Sequence, residues 1–509
     1  MADDQDNGRR PQHVCVVGAG LVGLLSGHYL EKSGFRVTIV DRQDHPANEA
    51  SYANAALLMR SYSRPKTMTP SQLVSWISSR EHPVHVALRA LADPDMIRFG
   101  LRFFLAGPQT REEVAKTTKV VDALAAESRT ELDSLCKELS LQTPCDQNGL
   151  LIFFRKSETM AAAVAEATES FPEPEVAAGR FRVVSSQECL KLEPSLEKIG
   201  KELVGGIFWH KDATMDALAF SNELSKSLKQ RGASFEFGET LESAEEDGTL
   251  TLASGRSIKD VDALVIASGV QSGHLLSSVG DPASSISAPL YGMRGHSMTF
   301  DITESSALPP NGRLLNRSVC DGETMVFFSP LCNSDSTRYL RAAAFGDFDG
   351  FDYGPRAVKQ WRMSQIMDAI HRIFPASFAQ EASRIKPKEA AKGKLALGSS
   401  LCPADDPSTQ WTGLRPMSPD GMPILGLAGK TRCGSIPIFM NAGHGALGWT
   451  LSAGSGILLA DSVGKHFQNN RTASAHDALA ALKPHFDSAR FSWRNVLEKA
   501  YRMRRWVPR

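Results

Sequence analysis

The sequence predicts an α/β fold, a parallel-sheet layer interrupted by an inserted sheet domain, and three observations point to it. An apolar run, Val14 to Val17, breaks at Gly18-Ala-Gly20-Leu-Val-Gly23 and leads through a helical segment into Arg36-Val-Thr-Ile-Val-Asp41. Near the other end, Ile436-Pro-Ile-Phe-Met440 runs into a glycine-rich turn and a helix from Thr450 to about Lys465, repeating the strand-turn-helix order. Between them, Pro289 to Phe300 and Arg338 to Ala344 read as strands of a separate sheet.

The opening unit has the order β-turn-α-β with an acid at the tip of its second strand. Gly18 permits the tight turn, Gly20 lets the backbone approach a pyrophosphate, and Gly23 lets helix and strand pack closely. The N-terminus of the helix Leu21 to Lys32 offers free N–H groups and a positive dipole end to that anion. Asp41 can accept from both hydroxyls of an adenosine ribose and would repel a 2′-phosphate, which disfavours NADP. Val17 to Gly23 (Val17, Gly18, Ala19, Gly20, Leu21, Val22, Gly23), with Asp41 and Arg42, are the candidate dinucleotide contacts. A signal peptide after Arg9-Arg10 is the rival reading. It fails because the apolar stretch continues into the periodic helix and on to Asp41.

Residues 1–12 read as a disordered polar tail. Glu49 to Leu57 is a run of small residues around Asn54, either a flat ligand's backing or a packed turn. Asp95 to Ala106 predicts an unusually apolar helix, assigned to the core with a partner or membrane surface as the alternative. Helices are expected at Arg111–Leu139, Ser157–Ser170, Asp216–Arg231 and Trp361–Phe374, and strands at Gly149–Phe154 and Gly205–Trp209. Asp262 to Gly269 is a buried strand ending in glycine, so Gly269 is a second point where backbone could pass a dinucleotide. The tail from Arg490 carries seven basic residues against Glu498 alone. It reads as a solvated basic face, or as a dock for anionic lipid or an acidic partner.

The 509 residues suffice for two or three cores, and 42% hydrophobic with 22% charged is ordinary globular composition. Lys plus Arg equals Asp plus Glu at 57 each, which argues against a nucleic-acid binder. Eight cysteines stand singly with no C-x-x-C, giving neither a zinc pattern nor a disulfide framework. No apolar run reaches the ~18 residues of a membrane span. The chain is therefore expected to be cytoplasmic, or peripheral to a membrane.

Two dense stretches carry a resemblance: Trp411-Thr-Gly-Leu-Arg-Pro-Met-Ser-Pro-Asp-Gly421 and Asn441-Ala-Gly-His-Gly-Ala-Leu-Gly-Trp-Thr450. With the opening glycine unit, Ala53-Asn54-Ala55, Leu192-Glu-Pro-Ser-Leu196, and Gly205-Gly206 with Asp212 and Asp216, they make residues 13–466 resemble the D-amino-acid/glycine/sarcosine oxidase group of FAD enzymes. Within it the resemblance is to the D-amino-acid dehydrogenase small subunit. It implies a Rossmann-like FAD-binding domain from 13–95, 201–285 and 398–466. It also implies an inserted α+β substrate domain on an antiparallel sheet from 96–200 and 286–397, with 467–509 a basic C-terminal extension.

The same resemblance implies non-covalent FAD and hydride transfer from the Cα of an amino acid. Asn54 and Ala55 look like flavin contacts. The turn Gly443, His444, Gly445, Leu447, Gly448, Trp449 and Thr450 looks like the segment facing the flavin. Arg415 looks like the clamp for a substrate carboxylate, and His296 stands where the family often has a tyrosine-like side wall. The electron acceptor is expected to be a quinone, a carrier or oxygen. Two alternatives stay open: an enzyme of glycine, sarcosine, proline or hydroxyproline type, and a non-catalytic FAD-holding subunit.

Overall fold

The computed structural model describes residues 10–66, 70–107, 110–173, 177–283, 285–286, 288–303, 305, 308, 313–332, 336–350, 358–384, 408–468 and 477–487. The basic tail from Arg490 and residues 1–9 lie outside the described residues. Residue 10 belongs to the expected disordered tail, yet Arg10 is fastened, its Nη1 2.9 Å from Asp262.

Two sheets organise the chain. The first runs in the order Ser234–Phe237, Arg36–Asp41, His13–Val17, Ala263–Ile266, Pro437–Ala442, Ile424–Lys430. Its first five strands are parallel and the last is antiparallel. His13–Val17, Ala263–Ile266 and Pro437–Ala442 are buried along their whole length. That is why they read as unbroken Val/Ile/Leu runs and not as alternating ones. On one face the helix Leu21–Lys32 packs against the helix Gly448–His466. Small residues let these axes approach: a Cβ on Gly456 would stand 3.0 Å from the Leu25 carbonyl oxygen.

The second sheet has nine strands. Its order is Ser408–Met417, Tyr291–Asp301, Arg338–Phe348, Val326–Cys332, Ser318–Asp321, Leu150–Phe154, Gly205–Trp209, Phe181–Ser185, and Val84–Val86 joins Arg338–Phe348 at the side. It is antiparallel except where Leu150–Phe154 meets Ser318–Asp321 and where Val84–Val86 joins. The helix Gln360–Ile373 packs on it, with Phe328 against Phe374 at 5.1 Å. The α/β class and the inserted antiparallel sheet are therefore both present.

Three strands change sheets relative to the expected division. Val84–Val86, Gly205–Trp209 and Ser408–Met417 fall within the ranges expected for the nucleotide-binding domain, and all three pair in the nine-stranded sheet. A short apolar run has no sheet preference of its own; the neighbours it registers with decide. The helix Pro94–Ala106 is also corrected. Phe99 is buried, but Ile97, Leu101 and Phe104 are 50%, 52% and 42% exposed, so this is a surface helix and not a core one. Among the described residues no helix is long and apolar enough to cross a membrane.

Candidate active site

The glycine turn forms as its spacing requires. Gly18 has φ 117°, and a Cβ there would meet the Ala267 carbonyl oxygen at 2.4 Å. A Cβ on Gly23 would lie 1.8 Å from the Gly18 oxygen, so this glycine is fixed by the close approach of the helix to the turn. Gly20 differs: the nearest atom to a Cβ there is Ser51 Oγ at 3.4 Å, and otherwise the position opens into a cavity. The Asp41 carboxylate stands at the strand tip, accepting from the Ala19 N–H at 2.6 Å and the Gln43 N–H at 2.8 Å. Burial raises its pKa, while those two N–H donors oppose the rise. Arg42 is paired with Glu49 at 2.6 Å.

The run of small residues after Glu49 is held from the other sheet. Ser297 donates to the Ala53 carbonyl and Ser329 to the Ala55 carbonyl, each at 2.8 Å. Arg341 donates to the Asn54 carbonyl at 3.3 Å and to Asp216 at 3.2 Å. The Asn54 side chain turns inward to accept from the Ala56 N–H at 2.8 Å. Three side chains of the large sheet thus set the path of Ala53–Ala55, a seam between the two sheets.

In the second glycine turn, Gly443 and Gly445 have φ 82° and 55°. His444 is buried, with Nε2 3.0 Å from Ser455 Oγ, and burial pushes its pKa down to about 3. The imidazole is neutral at ordinary pH and engaged by the helix Gly448–His466 that follows the turn. Trp449 donates from Nε1 to the Met215 carbonyl at 3.0 Å and packs on Phe220. Thr450 turns away and accepts from the Met59 N–H at 2.9 Å, and Leu447 joins the core.

Arg415 projects from Ser408–Met417 and its guanidinium reaches across the sheet, with Nη1 donating to the Phe345 carbonyl at 2.7 Å. Among the described residues no carboxylate lies within ion-pair distance of it, Asp420 included. Burial lowers its pKa, against the pull of Tyr62 and Asp347. His296 faces elsewhere. Its ring has no exposed surface, and Nε2 lies 3.0 Å from Asp347. Asp347 also binds Arg362 at 2.6 Å and Lys359 at 2.9 Å. Burial lowers the His296 pKa; burial also works against ionisation of Asp347, but the hydrogen bonds from His296 and Arg362 outweigh it and hold the Asp347 carboxyl well below the usual range.

One cavity of about 830 Å³ connects these parts, toward the large end of the sizes usual for ligand sites. Of the residues expected to bind, Val17, Gly18, Gly20, Leu21, Val22, Asp41, Arg42, Asn54, Ala55, Gly269, His296, Arg415, His444, Gly445, Gly448 and Trp449 line it. Ala19, Gly23, Gly443, Leu447 and Thr450 do not; they shape the turns and the packing behind it. Tyr62, Trp411 and Asn441 also line it and were not foreseen. Asn441 had a signal, as the one amide in an otherwise apolar buried strand; Tyr62 had none.

The lining fits a flavin dinucleotide. A glycine opens onto the cavity at a helix N-terminus, an acid stands at the strand tip, and two buried polar atoms, Asn441 Oδ1 and Trp411 Nε1, have no protein partner. Polar atoms in such a place are satisfied by a ligand or water.

A family model described as FAD dependent oxidoreductase matches residues 13–462. The D-amino acid dehydrogenase of Vibrio vulnificus (strain YJ016) is 29% identical over 452 residues, covering 88% of this chain and 95% of that protein. The D-amino acid dehydrogenase of Granulibacter bethesdensis is 31% identical over 454 residues, covering 88% and 95%. Among solved structures, glycine oxidase from Bacillus cereus ATCC 14579 superposes with a TM-score of 0.59 at 17% identity, covering 89% of this chain and 95% of that one. L-proline dehydrogenase from P. horikoshii gives 0.59 at 11% identity, covering 95% and 98%. At such identities these two structures carry the fold alone.

Proposed function

The chain belongs to the FAD dependent oxidoreductase family, and from that premise we propose that it oxidises the Cα–N bond of a D-amino acid to the imino acid, which water converts to the oxo acid and ammonia. The observation that carries this is Arg415, a guanidinium on the cavity wall with no carboxylate partner among the described residues. A buried cation left unpaired is costly unless a ligand supplies the anion.

Gly18, Gly20, Leu21, Asp41, Asn54, Gly445, Gly448 and Trp449 would hold FAD without a covalent link, and the flavin would supply the hydride acceptor. The chain supplies orientation. Arg415 has Nε and Nη2 left for a bidentate fork onto the substrate carboxylate, the arrangement for which a planar guanidinium is suited. Met293, Phe327 and Phe345 line the cavity beside the sheet and exclude water. The neutral imidazole of His444 places no cation against the reacting amine. His296 is part of the cavity wall, but its ring has no exposed surface and Nε2 is held by Asp347, so it serves as an anchor within that wall. D-configuration is supported by the names of the relatives.

The test is Arg415→Ala. It should keep FAD and fold while losing on the order of 2–5 kcal/mol of transition-state stabilisation for amino acids, as when one partner of a buried charge pair is truncated. Arg415→Lys should recover only part, because an ammonium cannot fork. Near-normal kcat/KM in a flavinated Arg415→Ala enzyme would overturn the assignment.

The electrons pass on to a quinone or carrier at a membrane surface. Six of the nine large apolar side chains found exposed among the described residues are Val74, Leu88, Leu91, Ile97, Leu101 and Phe104. Arg89 and Arg98 stand exposed among them. Exposed apolar side chains with basic neighbours suit an anionic lipid surface.

A further inference from the structure

Arg415 lies opposite Met293 in the ladder between Ser408–Met417 and Tyr291–Asp301. Its side chain then passes over Gly295 on the neighbouring strand and reaches Phe345 on the third. A Cβ built on Gly295 would lie 2.5 Å from Nη2, 2.6 Å from Cζ and 2.9 Å from Nη1 of Arg415. The guanidinium therefore rests on the bare α-carbon. The Gly295 backbone is itself fixed, since its carbonyl accepts from Thr412 Oγ1 at 2.9 Å.

The far side of this seat is irregular. Arg294 pairs with Asp347 and His296 with Ala344, so Phe345 and Gly346 together oppose Gly295. This is a β-bulge, and Phe345 within it has φ 66°, a conformation that a bulky side chain adopts only under constraint. The constraint is visible. The Phe345 ring packs under the Arg362 guanidinium at 4.3 Å, Arg362 is ion-paired to Asp347, and Asp347 is held by His296. The bulge is what brings the Phe345 carbonyl to Arg415 Nη1, and backbone held in such a region is a recurrent feature of functional sites.

We propose that Gly295 and the Phe345–Gly346 bulge form a seat that fixes the Arg415 guanidinium, and that Gly295 is a positioning residue whose missing side chain sets the enzyme's affinity for the substrate carboxylate. The proposal rests on the reading of Arg415 as the carboxylate clamp. The three atoms nearest a methyl at position 295 all belong to the end of a flexible side chain. The fold has no reason to fail; the clamp has to move. A misplacement of ~1 Å at such a contact is costly to binding and rate.

The experiment compares flavinated parent, Gly295→Ala, Arg415→Lys and the double variant. The readouts are flavin content, Tm, kcat and KM for a D-amino acid, and the Kd of propionate by calorimetry. Gly295→Ala should keep flavin and Tm, and should weaken both propionate binding and KM on the order of 10- to 100-fold with a smaller change in kcat. In the Gly295→Ala background Arg415→Lys should cost less than in the parent, because the fork is already displaced. Unchanged propionate binding in Gly295→Ala, with Arg415→Lys still weakening it, overturns the seat and leaves the clamp standing. If Arg415→Lys also leaves it unchanged, the clamp falls and the seat with it. Additive effects in the double variant, or loss of fold in Gly295→Ala, equally overturn the claim that Arg415 alone gives way.

Discussion

His444 shows how a residue's chemistry is set by where its chain places it. It stands in the glycine turn, where a histidine invites a catalytic reading, yet burial leaves it neutral with a pKa of about 3. His28, buried beside Arg231, is likewise pushed down to about 3. An unfolded histidine titrates near ~6.5, so on acidification the unfolded chain takes up protons that the folded chain refuses. The folded pKa values are depressed. Stability from these two groups is therefore complete above pH ~6.5 and is lost as pH falls toward 3, by about 1.4 kcal/mol for each unit of depression. Thermal melts across that window should show Tm falling with pH, and His28→Gln with His444→Asn should flatten the curve; an unaltered slope would contradict this. At the residue scale the glycine turn was legible, because Gly18 and Gly23 follow from sterics within one βαβ unit. The seat of Arg415 was not legible, since Gly295 and Phe345 lie 120 and 70 residues before it and meet it only across strand pairing.

Among elements, the two strand-turn-helix units were legible for the same reason: each is local and each carries its own glycines. Sheet membership was less so: Val84–Val86, Gly205–Trp209 and Ser408–Met417 fall in residue ranges that the resemblance gave to the nucleotide-binding domain and pair in the nine-stranded sheet, since periodicity names a strand without naming its neighbour. The helix Pro94–Ala106 carries a further lesson. Its greasiness suggested burial on every side, whereas the cavity takes one face and the outside keeps another. If the outer face meets lipid, Ile97→Asp with Leu101→Asp should abolish pelleting with anionic vesicles on the order of tenfold or more, and leave flavin content and turnover with a soluble dye unchanged. Equal pelleting of parent and variant would remove the membrane part of the proposal. Phe99 should not be substituted for this purpose, as it packs on Tyr291 and Phe348 at 5.8 and 6.4 Å.

For the whole molecule, the cavity is bounded by both sheets and by the seam that Ser297, Ser329 and Arg341 make with Ala53–Ala55. FAD bound there would lie against residues of both sheets, so its removal should loosen both together. Binding to the native state alone stabilises by an amount set by mass action, about 2.7 kcal/mol at a free concentration a hundredfold above Kd. Stripped protein should therefore melt lower in a single shifted transition and recover on adding FAD. A melt in which only half of the unfolding signal shifts would show that the seam does not couple the sheets. None of that coupling is legible from sequence, because the three donors lie far along the chain from the carbonyls they hold.

The helix Pro94–Ala106 interleaves two sets of side chains. Phe99 and Phe103 line the cavity, while Ile97, Leu101 and Phe104 point out. No residue belongs to both sets. Inherited changes on the outward set can therefore alter what the protein adheres to without retuning what it admits, and changes on the inward set can do the reverse, so the two properties are free to diverge separately among descendants of this chain.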